Sequence, residues 1–569
     1  MSKRISLSAF LLLFGLSSLV NAQTNFYLSG LGRALVTNDK LEGKILEGDT
    51  TSARRGVGGY TLFDLKSNLD VNKNFHGNAI VRVRNDFGAF WGLSNVFTVR
   101  QVQLMGTIRD VIKYEIGDIN VGMTPYTVYN PNEIYHKYES DLFRQRREIL
   151  EYENFIFDNQ WRLQGAQANT AYKYDRIIEK VGLKAFGTRT NPTNDATIPD
   201  RVLAGVNLDV TQSKLFRIGF NYVGLLDIPI QTALVNYQNE VYTTDGRVTL
   251  ENEKTKVELF GEGGFSNYKF EESFGQKSVS SYNDFFFDLG LSGTYKPANA
   301  KLFVSYKDVG PQFSSPSAQT RRLDIRRTPM LFDMIGNATT PREQVLFDRF
   351  TQEQIYLRGI SPVLLPFLPQ YNNINPYGAA TPNRRGITAG VSASLPSKVI
   401  DAEVITDMQK EIVGEGNESL RNFFGVRGGL RFNLDRLLKW ENKIGLNAGI
   451  RQENTTRSGT AQIDFKSTLI DFGAHAEVIK NVDLLVGLKR LNASGNEYLA
   501  LRDQFNVPYD FPAYNLNMVE NILSFGGRIR FSEKSYFTLN YNLVEIDNKL
   551  TTGSSYKMNQ LFANYTVIF

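Results

Sequence analysis

The chain has 569 residues, no cysteine, a formal charge of +5, and 12% aromatic residues beside 47 glycines. Zero cysteine excludes disulfide frameworks, thiolate metal sites and cysteine nucleophiles together, and so small a net charge excludes a nucleic-acid binder. The mean hydropathy is −0.28, and nothing beyond the first residues approaches the ~20 unbroken apolar residues of a membrane helix.

In chain order, Lys3 and Arg4 give a positive start, Ile5 to Val20 an apolar stretch, and Val20-Asn21-Ala22 a small-residue exit. This is the pattern of a secretory signal peptide spanning 1–22, with cleavage before Gln23. From 23 to 569 no break in composition or Pro/Gly/Ser linker appears, so the rest reads as one domain.

The dominant signal is alternation with a period of two, because successive side chains of a strand point to opposite faces. Early on, Ala79, Val81 and Val83 oppose Arg82, Arg84 and Asp86. Candidate strands lie near 24–35, 59–71, 77–88, 97–107, 112–121, 160–173, 180–189, 201–210, 214–224, 240–251, 256–262, 284–296 and 300–307. They continue near 385–395, 398–406, 421–433, 441–452, 463–478, 482–491, 518–531, 535–546 and 556–569. The pattern is clear at Phe424, Val426, Leu430 and Phe432 against Arg427 and Arg431, and again at Ile444, Leu446 and Ile450 against Lys443 and Arg451. The count is 22 strands, or 18 to 20 if weak ones such as 97–107 and 240–251 fail. Short connections such as Arg109–Val111 and Ile479–Asn481 alternate with longer ones. That rhythm predicts an all-β, antiparallel, up-and-down transmembrane barrel with short periplasmic turns and long external loops. A soluble sandwich also alternates, but here the polar face repeatedly carries Arg, Lys and Asp beside Gly, which suits a wet lumen.

Two loops stand out, 122–159 and 308–384. A lumen as wide as 22 strands enclose must be filled by something, and loops this long are uncommon unless functional. In the longer one, Thr340-Pro341-Arg342-Glu343 reads as a helix start, with Phe347, Phe350 and Ile355 on an apolar face behind it. An inward-folded constriction, an external cap and a docking surface for another protein are the alternatives. Gly117-Asp118 at the head of the shorter loop reads as a turn, since no calcium-loop spacing follows.

Charged residues on neighbouring strands group into a candidate lumen ladder: Asp401, Glu403 and Asp407, then Arg427 and Arg431, then Lys443 and Arg451. Arg82, Arg84, Arg528 and Arg530 tilt the interior towards basic. Such a ladder is either an electrostatic filter or a set of wall ion pairs that stiffen the barrel. Of the three histidines, His76 falls in a turn, His136 in the shorter long loop, and His475 on a lumen face. No acid–base set, nucleophile elbow, phosphate loop or metal spacing forms around them, so no enzyme, cofactor or metal is expected. Phe90, Trp91, Tyr536, Phe537 and Tyr565 read as interfacial girdle residues.

The chain closes on Leu561, Ala563, Tyr565, Val567 and Phe569, all apolar on one face and ending at a terminal Phe. This resembles the C-terminal recognition strand of Gram-negative outer-membrane β-barrels, which the barrel-assembly machinery reads. The resemblance covers the leader, the strand pattern and these last residues, at the level of porin-like, plug-less large barrels. The strand count is similar to that of TonB-dependent receptors. Those carry a plug domain before the first strand, whereas strand one here begins almost at the cleavage site, so that likeness stops at the barrel. The resemblance implies residence in outer-membrane lipid and a porin-like channel or transporter for small solutes with a loop-occluded lumen. The alternative is a non-enzymatic subunit or binding platform of a secretion, adhesion or assembly complex, with another envelope protein as partner.

Overall fold

The computed structural model describes residues 25–43, 56–72, 74–87, 95–131, 137–155, 161–174, 177–193, 195, 197–212, 215–230, 232–233, 235–272, 278–329, 342–395, 397–550 and 555–569. The leader, Phe90, Trp91, His136, Thr340 and Pro341 lie outside them.

The strands are β1 (Asn25–Gly43), β2 (Gly56–Asn72), β3 (Phe75–Asp86), β4 (Asn95–Ile108), β5 (Ile112–Ile119), β6 (Leu163–Lys173), β7 (Lys180–Asn191), β8 (Arg201–Gln212), β9 (Phe216–Asp227), β10 (Val235–Glu251), β11 (Thr255–Glu272) and β12 (Ser278–Tyr295). Next come β13 (Ala300–Val309), β14 (Arg384–Ser394), β15 (Ile400–Lys410), β16 (Asn422–Asn433), β17 (Ile444–Arg457), β18 (Ile463–Ile479) and β19 (Val482–Tyr498). A small ribbon of β20 (Leu501–Arg502) and β21 (Pro508–Asp510) precedes β22 (Ala513–Ser532), β23 (Ser535–Asn548) and β24 (Tyr556–Ile568). All but β20 and β21 form one 22-stranded antiparallel sheet in which each strand pairs with its neighbours in sequence. The ring closes where β24 pairs with β1, from Leu31 opposite Ile568 to Gly43 opposite Tyr556. Beyond the last strand, Phe569 exchanges backbone hydrogen bonds with Gly30 (2.8 and 3.1 Å) and stacks on Phe63. At the turn between β4 and β5, Arg109 and Asp110 both take positive φ (52° and 57°), as a tight hairpin of this twist requires.

The weak candidates at 97–107 and 240–251 are full strands, so the count of 22 stands. Strand length differs from the sequence reading. β11 and β12 run on until only 273–277 separates them, and β17 and β18 until only 458–462 does. β22 has 20 residues, about twice the ~9–11 that span a bilayer.

The surplus carries a change of phase. In the lower part, Ile450, Ile470, Phe472, Leu484, Leu523, Phe525, Leu543 and Leu561 face outward and are exposed, while Asn447, Asp471, Asp483, Ser524 and Asn542 are buried on the lumen side. Above that belt the outward positions become Gln452, Lys466, Arg490, Asn492, Asn521, Glu545 and Lys557. The inward ones become Phe465, Leu491, Leu516, Met518, Val544 and Met558, all buried in one cluster. On the opposite wall the change falls at an aromatic row, Tyr222, Tyr242 and Phe265, with ring centroids 5.0 Å apart between neighbours. Rows of this kind mark a lipid–water boundary. The barrel is thus inside-out within the lipid and a conventional apolar-cored barrel beyond it. No backbone edge is left open within the ring, as a membrane interior demands. The protein is an outer-membrane-type β-barrel, closed, antiparallel and 22-stranded, with an apolar lipid-facing belt and a polar lumen.

One girdle assignment is corrected. Phe537 shares its level with Tyr565 and Ile529, but Tyr536 sits opposite Arg530 and Thr566, on the lumen side. Adjacent residues of a strand cannot both face lipid.

Candidate functional site

The lumen is filled from within the barrel chain by the described residues of two insertions, 120–162 between β5 and β6 and 310–383 between β13 and β14. The first carries helix α1 (Asp141–Asn154). Ser140 caps it, accepting from Leu142 N, and Asp141 sits in its first turn, where negative charge is favoured. Leu142, Phe143, Arg146, Ile149, Leu150 and Glu153 are buried, a helical face, and Arg147 pairs with Glu151 one turn on (2.9 Å).

Both ends of α1 are tied to the wall. At its start, Lys489 of β19 pairs with Glu139 (2.9 Å) and with Asp471 of β18 (2.5 Å). Arg147 adds a second cation to Glu139 (2.7 Å), and Ser140 Oγ donates to Val486 O (3.0 Å). Burial pushes the Glu139 carboxyl up, but Lys489 and Arg147 outweigh it and hold the group below its ordinary value. At the other end, Arg82 Nη1 donates to Glu153 O (3.2 Å) and Arg100 Nη2 to Phe155 O (2.9 Å). These are the last-turn carbonyls that cations stabilise. Glu153 itself takes Arg33 (2.6 Å) and the Tyr60 hydroxyl (2.5 Å). Arg146 stacks over Phe562 at 3.9 Å, and burial lowers its pKa to about 10. Helix α1 is therefore a shelf along the inner wall from β19 to β4.

The approach at the shelf's start depends on glycine. A Cβ on Gly473 would stand 2.7 Å from Ser140 Cα, and one on Gly487 would stand 2.8 Å from the Phe143 ring. Gly473→Val should therefore push α1 off the wall at a cost of about 1–3 kcal/mol, as overpacking does. In this cysteine-free chain the displacement can be read as faster thiol labelling of a single cysteine placed at Ser140. An unchanged labelling rate would contradict the packing described.

The second insertion crosses the lumen. Its first residues bond to β10 and β11: Asn239 donates to Ser314 O and Ser314 N to Ser266 Oγ, both at 2.9 Å. Arg322 reaches Glu151 of α1 (3.3 Å), so the insertions brace each other. Farther on, Glu520 of β22 accepts from Leu346 N (2.6 Å) and the Tyr371 hydroxyl (2.5 Å). Asn373 binds Glu453 of β17 (2.8 Å) and Glu497 of β19 (2.7 Å), and Lys307 of β13 binds Asn375 (2.7 Å). Val345, Leu346, Phe347, Phe350 and Tyr371 complete the apolar core of the upper barrel. The described residues of 308–384 fold inward, as the first of the sequence alternatives anticipated. The helix anticipated after Thr340 is instead two short 3₁₀ turns, Leu346–Phe350 and Glu353–Ile355. Phe347, Phe350 and Ile355 are buried there as anticipated.

The candidate charge ladder is only partly assembled. Asp407 pairs with Arg427 (3.1 Å). Asp401 sits opposite Arg431 in register, yet Arg431 donates to Asn447 (3.2 Å), while Asp401 and Glu403 face Lys137 of the first insertion (3.7 and 3.3 Å). Arg451 donates to Gln370 O (3.2 Å), and the Lys443 backbone N–H donates to Glu477 (3.2 Å). Arg82 pairs with Asp64 (2.7 Å) and Arg84 with Glu353 of the second insertion (2.7 Å). Arg528 pairs with Asp483 (2.9 Å), and Arg530 with Glu477 (2.8 Å) and Asp483 (2.9 Å). Several of these charges are thus tethers for the insertions, a role the sequence did not suggest. Glu139, Glu153, Lys489 and Glu520 were not singled out, although Ser140 followed by a 3–4 spacing of apolar residues is a legible helix signal. His475 lies on the lumen side against Gly445, and His76 pairs with Asp70 (2.8 Å). Among the described residues, no group of three or more His, Asp or Glu is placed to hold a metal ion.

Beneath Thr124–Tyr126 a chamber of about 460 Å³ remains along β7–β12, lined by Lys184, Asn207, Arg217, Asp245, Arg247 and Glu262. A second cavity, of about 250 Å³, opens at the mouth among Phe367, Tyr377, Glu415, Arg421, Tyr498 and Tyr514.

The chain matches no protein-family model and no curated protein. It is similar to solved structures from Pseudomonas aeruginosa. The outer membrane protein OprD is 8% identical, with 97% of this chain and 96% of that one covered and a TM-score of 0.36. OpdQ is 11% identical (96% and 99% covered, TM-score 0.35), and OccK2 (OpdF) is 8% identical (96% and 98%, TM-score 0.34). At this degree of likeness, the fold rests on the strand pairing itself.

Proposed function

We propose that this protein is a porin-like channel for small solutes, closed in the resting state by its own two long loops. One observation carries this reading: polar and charged side chains line a chamber of about 460 Å³ below the insertions. A solute path needs a lining of polar and charged side chains of this kind. Movement of the insertions, which are held by ion pairs and hydrogen bonds and by the apolar clusters they share with the strands, would join that chamber to the mouth.

The second reading, a permanently blocked barrel acting as a platform in an envelope complex, draws on the apolar core that the second insertion shares with the upper strands. Planar-bilayer recording separates the two. Under the channel reading, the intact chain shows rare openings, deletion of 340–383 gives sustained conductance, and an Asn373→Cys/Thr455→Cys disulfide silences the openings until it is reduced. Silence from the intact and the deleted barrel alike would sink the channel reading and leave the platform.

A further inference from the structure

The geometry points to a binding site for a neutral sugar at the mouth of the barrel, roofed by a strap made of Leu501–Asp510. It deepens the channel reading by naming a solute class, although binding itself does not require conduction.

The cavity of about 250 Å³ has Phe367, Tyr377, Tyr498 and Tyr514 in its lining together with Glu415 and Arg421. It is smaller than the roughly 300–1,000 Å³ typical of sites for drug-sized ligands, so it fits a solute of one or two rings. The charged groups of the lining already have partners. Arg421 pairs with Glu411 (3.0 Å), Glu415 (3.3 Å) and Glu497 (3.2 Å), and Arg502 pairs with Glu415 (3.2 Å). The third arginine of the lining, Arg384, donates from Nε, Nη1 and Nη2 to the carbonyls of Ile374 (2.9 Å), Asn383 (3.1 Å) and Asn373 (3.3 Å). An ionic ligand would therefore have to displace existing partners and would lose its hydration. Glu415 keeps 22% of its side chain exposed and accepts from two arginines. A carboxylate has about four acceptor positions, so hydroxyl donors can still be received. Hydroxyls on one side and C–H faces for aromatic walls on the other together describe a sugar ring.

The strap gives the site its cover. It leaves the wall between β19 and β22, pairs with itself as β20–β21, and sets Phe505 edge-on against Phe270 of β11 (5.1 Å), well round the ring. Its other ties are few: Asn506 Oδ1 accepts from Leu364 N (3.0 Å), and Arg502 reaches Glu415. Leu501 and Arg502 line the sugar cavity, while Gln504 and Phe505 line a second one of about 240 Å³ on the strap's far side. So lightly held a segment opens before the insertions do.

The test is calorimetry on the full chain in detergent with maltose and glucose, and with gluconate and benzyl alcohol as charged and apolar probes. Saturable binding of maltose is expected, at least tenfold tighter than either comparison probe, and weakened at least tenfold by Glu415→Gln and by Phe367→Ala. Phe505→Ala should speed maltose association severalfold by freeing the strap. The gel mobility of the folded barrel, compared with and without heating, confirms that each variant is folded. The proposal is overturned by no saturable binding of either sugar, by binding that neither Glu415→Gln nor Phe367→Ala alters, or by benzyl alcohol or gluconate binding as tightly as maltose. Maltose binding to a barrel that never conducts would refute the channel while upholding this site.

Discussion

Lys489→Met will free the first insertion and raise the open fraction of the barrel. Lys489 is buried between two carboxylates, Glu139 on the insertion and Asp471 on the wall. Removing the cation leaves both anions buried without it, and breaking a buried pair in this way costs about 3–5 kcal/mol. Glu139 is the partner able to escape, since it belongs to a loop, whereas Asp471 is fixed in the sheet. The lower-energy outcome is for the start of α1 to leave the wall. The effect also has a defined pH dependence. Glu139 is held below its ordinary value, so its contribution is complete above the unfolded carboxyl value of about 4.3 and is lost as pH falls through the lower, folded value. The native barrel should therefore open on acidification only below the ordinary carboxyl range, as pH falls through the lowered value of Glu139. In the variant, burial is opposed by Arg147 alone, so the acid transition moves upward. Single-channel open probability against pH measures both effects. A variant with native open probability and a native acid profile would show that the Lys489 contacts do not hold the insertion.

The ring and its strand number were legible because one pattern, alternation, repeats from strand to strand, through Leu561, Ala563, Tyr565 and Val567 of the last. The phase change was not. At 463–478 the alternation continues unbroken, yet Phe465 and Leu469 point inward while Ile470 and Phe472 point to lipid. One residue of slip between two apolar runs exchanges the faces without disturbing the period. The plug was half legible: the length of 308–384 and the need to fill a wide lumen suggested an inward fold. The tethers were hidden because their partners are hundreds of positions apart, as with Lys489 and Glu139, separated by 350. Arg82 and Arg84 were read as lumen basicity for the same reason. A lumen-facing arginine looks the same in sequence whether it faces water or the end of a helix.

The phase change itself predicts opposite tolerances at neighbouring levels of one strand. On β22, Leu523 is 40% exposed and faces lipid, while Ile522 beside it is fully buried in the upper core. Asn517 faces outward above the belt. Leu523 is the first lipid-facing position below Asn521 and so lies between mid-bilayer depth and the interface, where arginine costs about 2–4 and about 0–1 kcal/mol. Leu523→Arg should therefore cost about 1–2 kcal/mol, whereas Asn517→Arg should be near neutral, because its side chain meets water. The interior shows the reverse. Ile522→Ala should cost about 2–5 kcal/mol, as in a soluble core, whereas Ser524→Ala, one level down on the polar lumen face, loses only a hydrogen bond to Asn542 (2.6 Å), worth about 1 kcal/mol. Urea-driven unfolding in lipid vesicles reports all four. If Asn517→Arg proved as damaging as Leu523→Arg, the upper strands would be immersed in lipid and the barrel would carry no water-exposed extension. The ordering of these four costs therefore fixes where the bilayer ends on the wall, and with it whether the second insertion plugs the barrel within the membrane or above it.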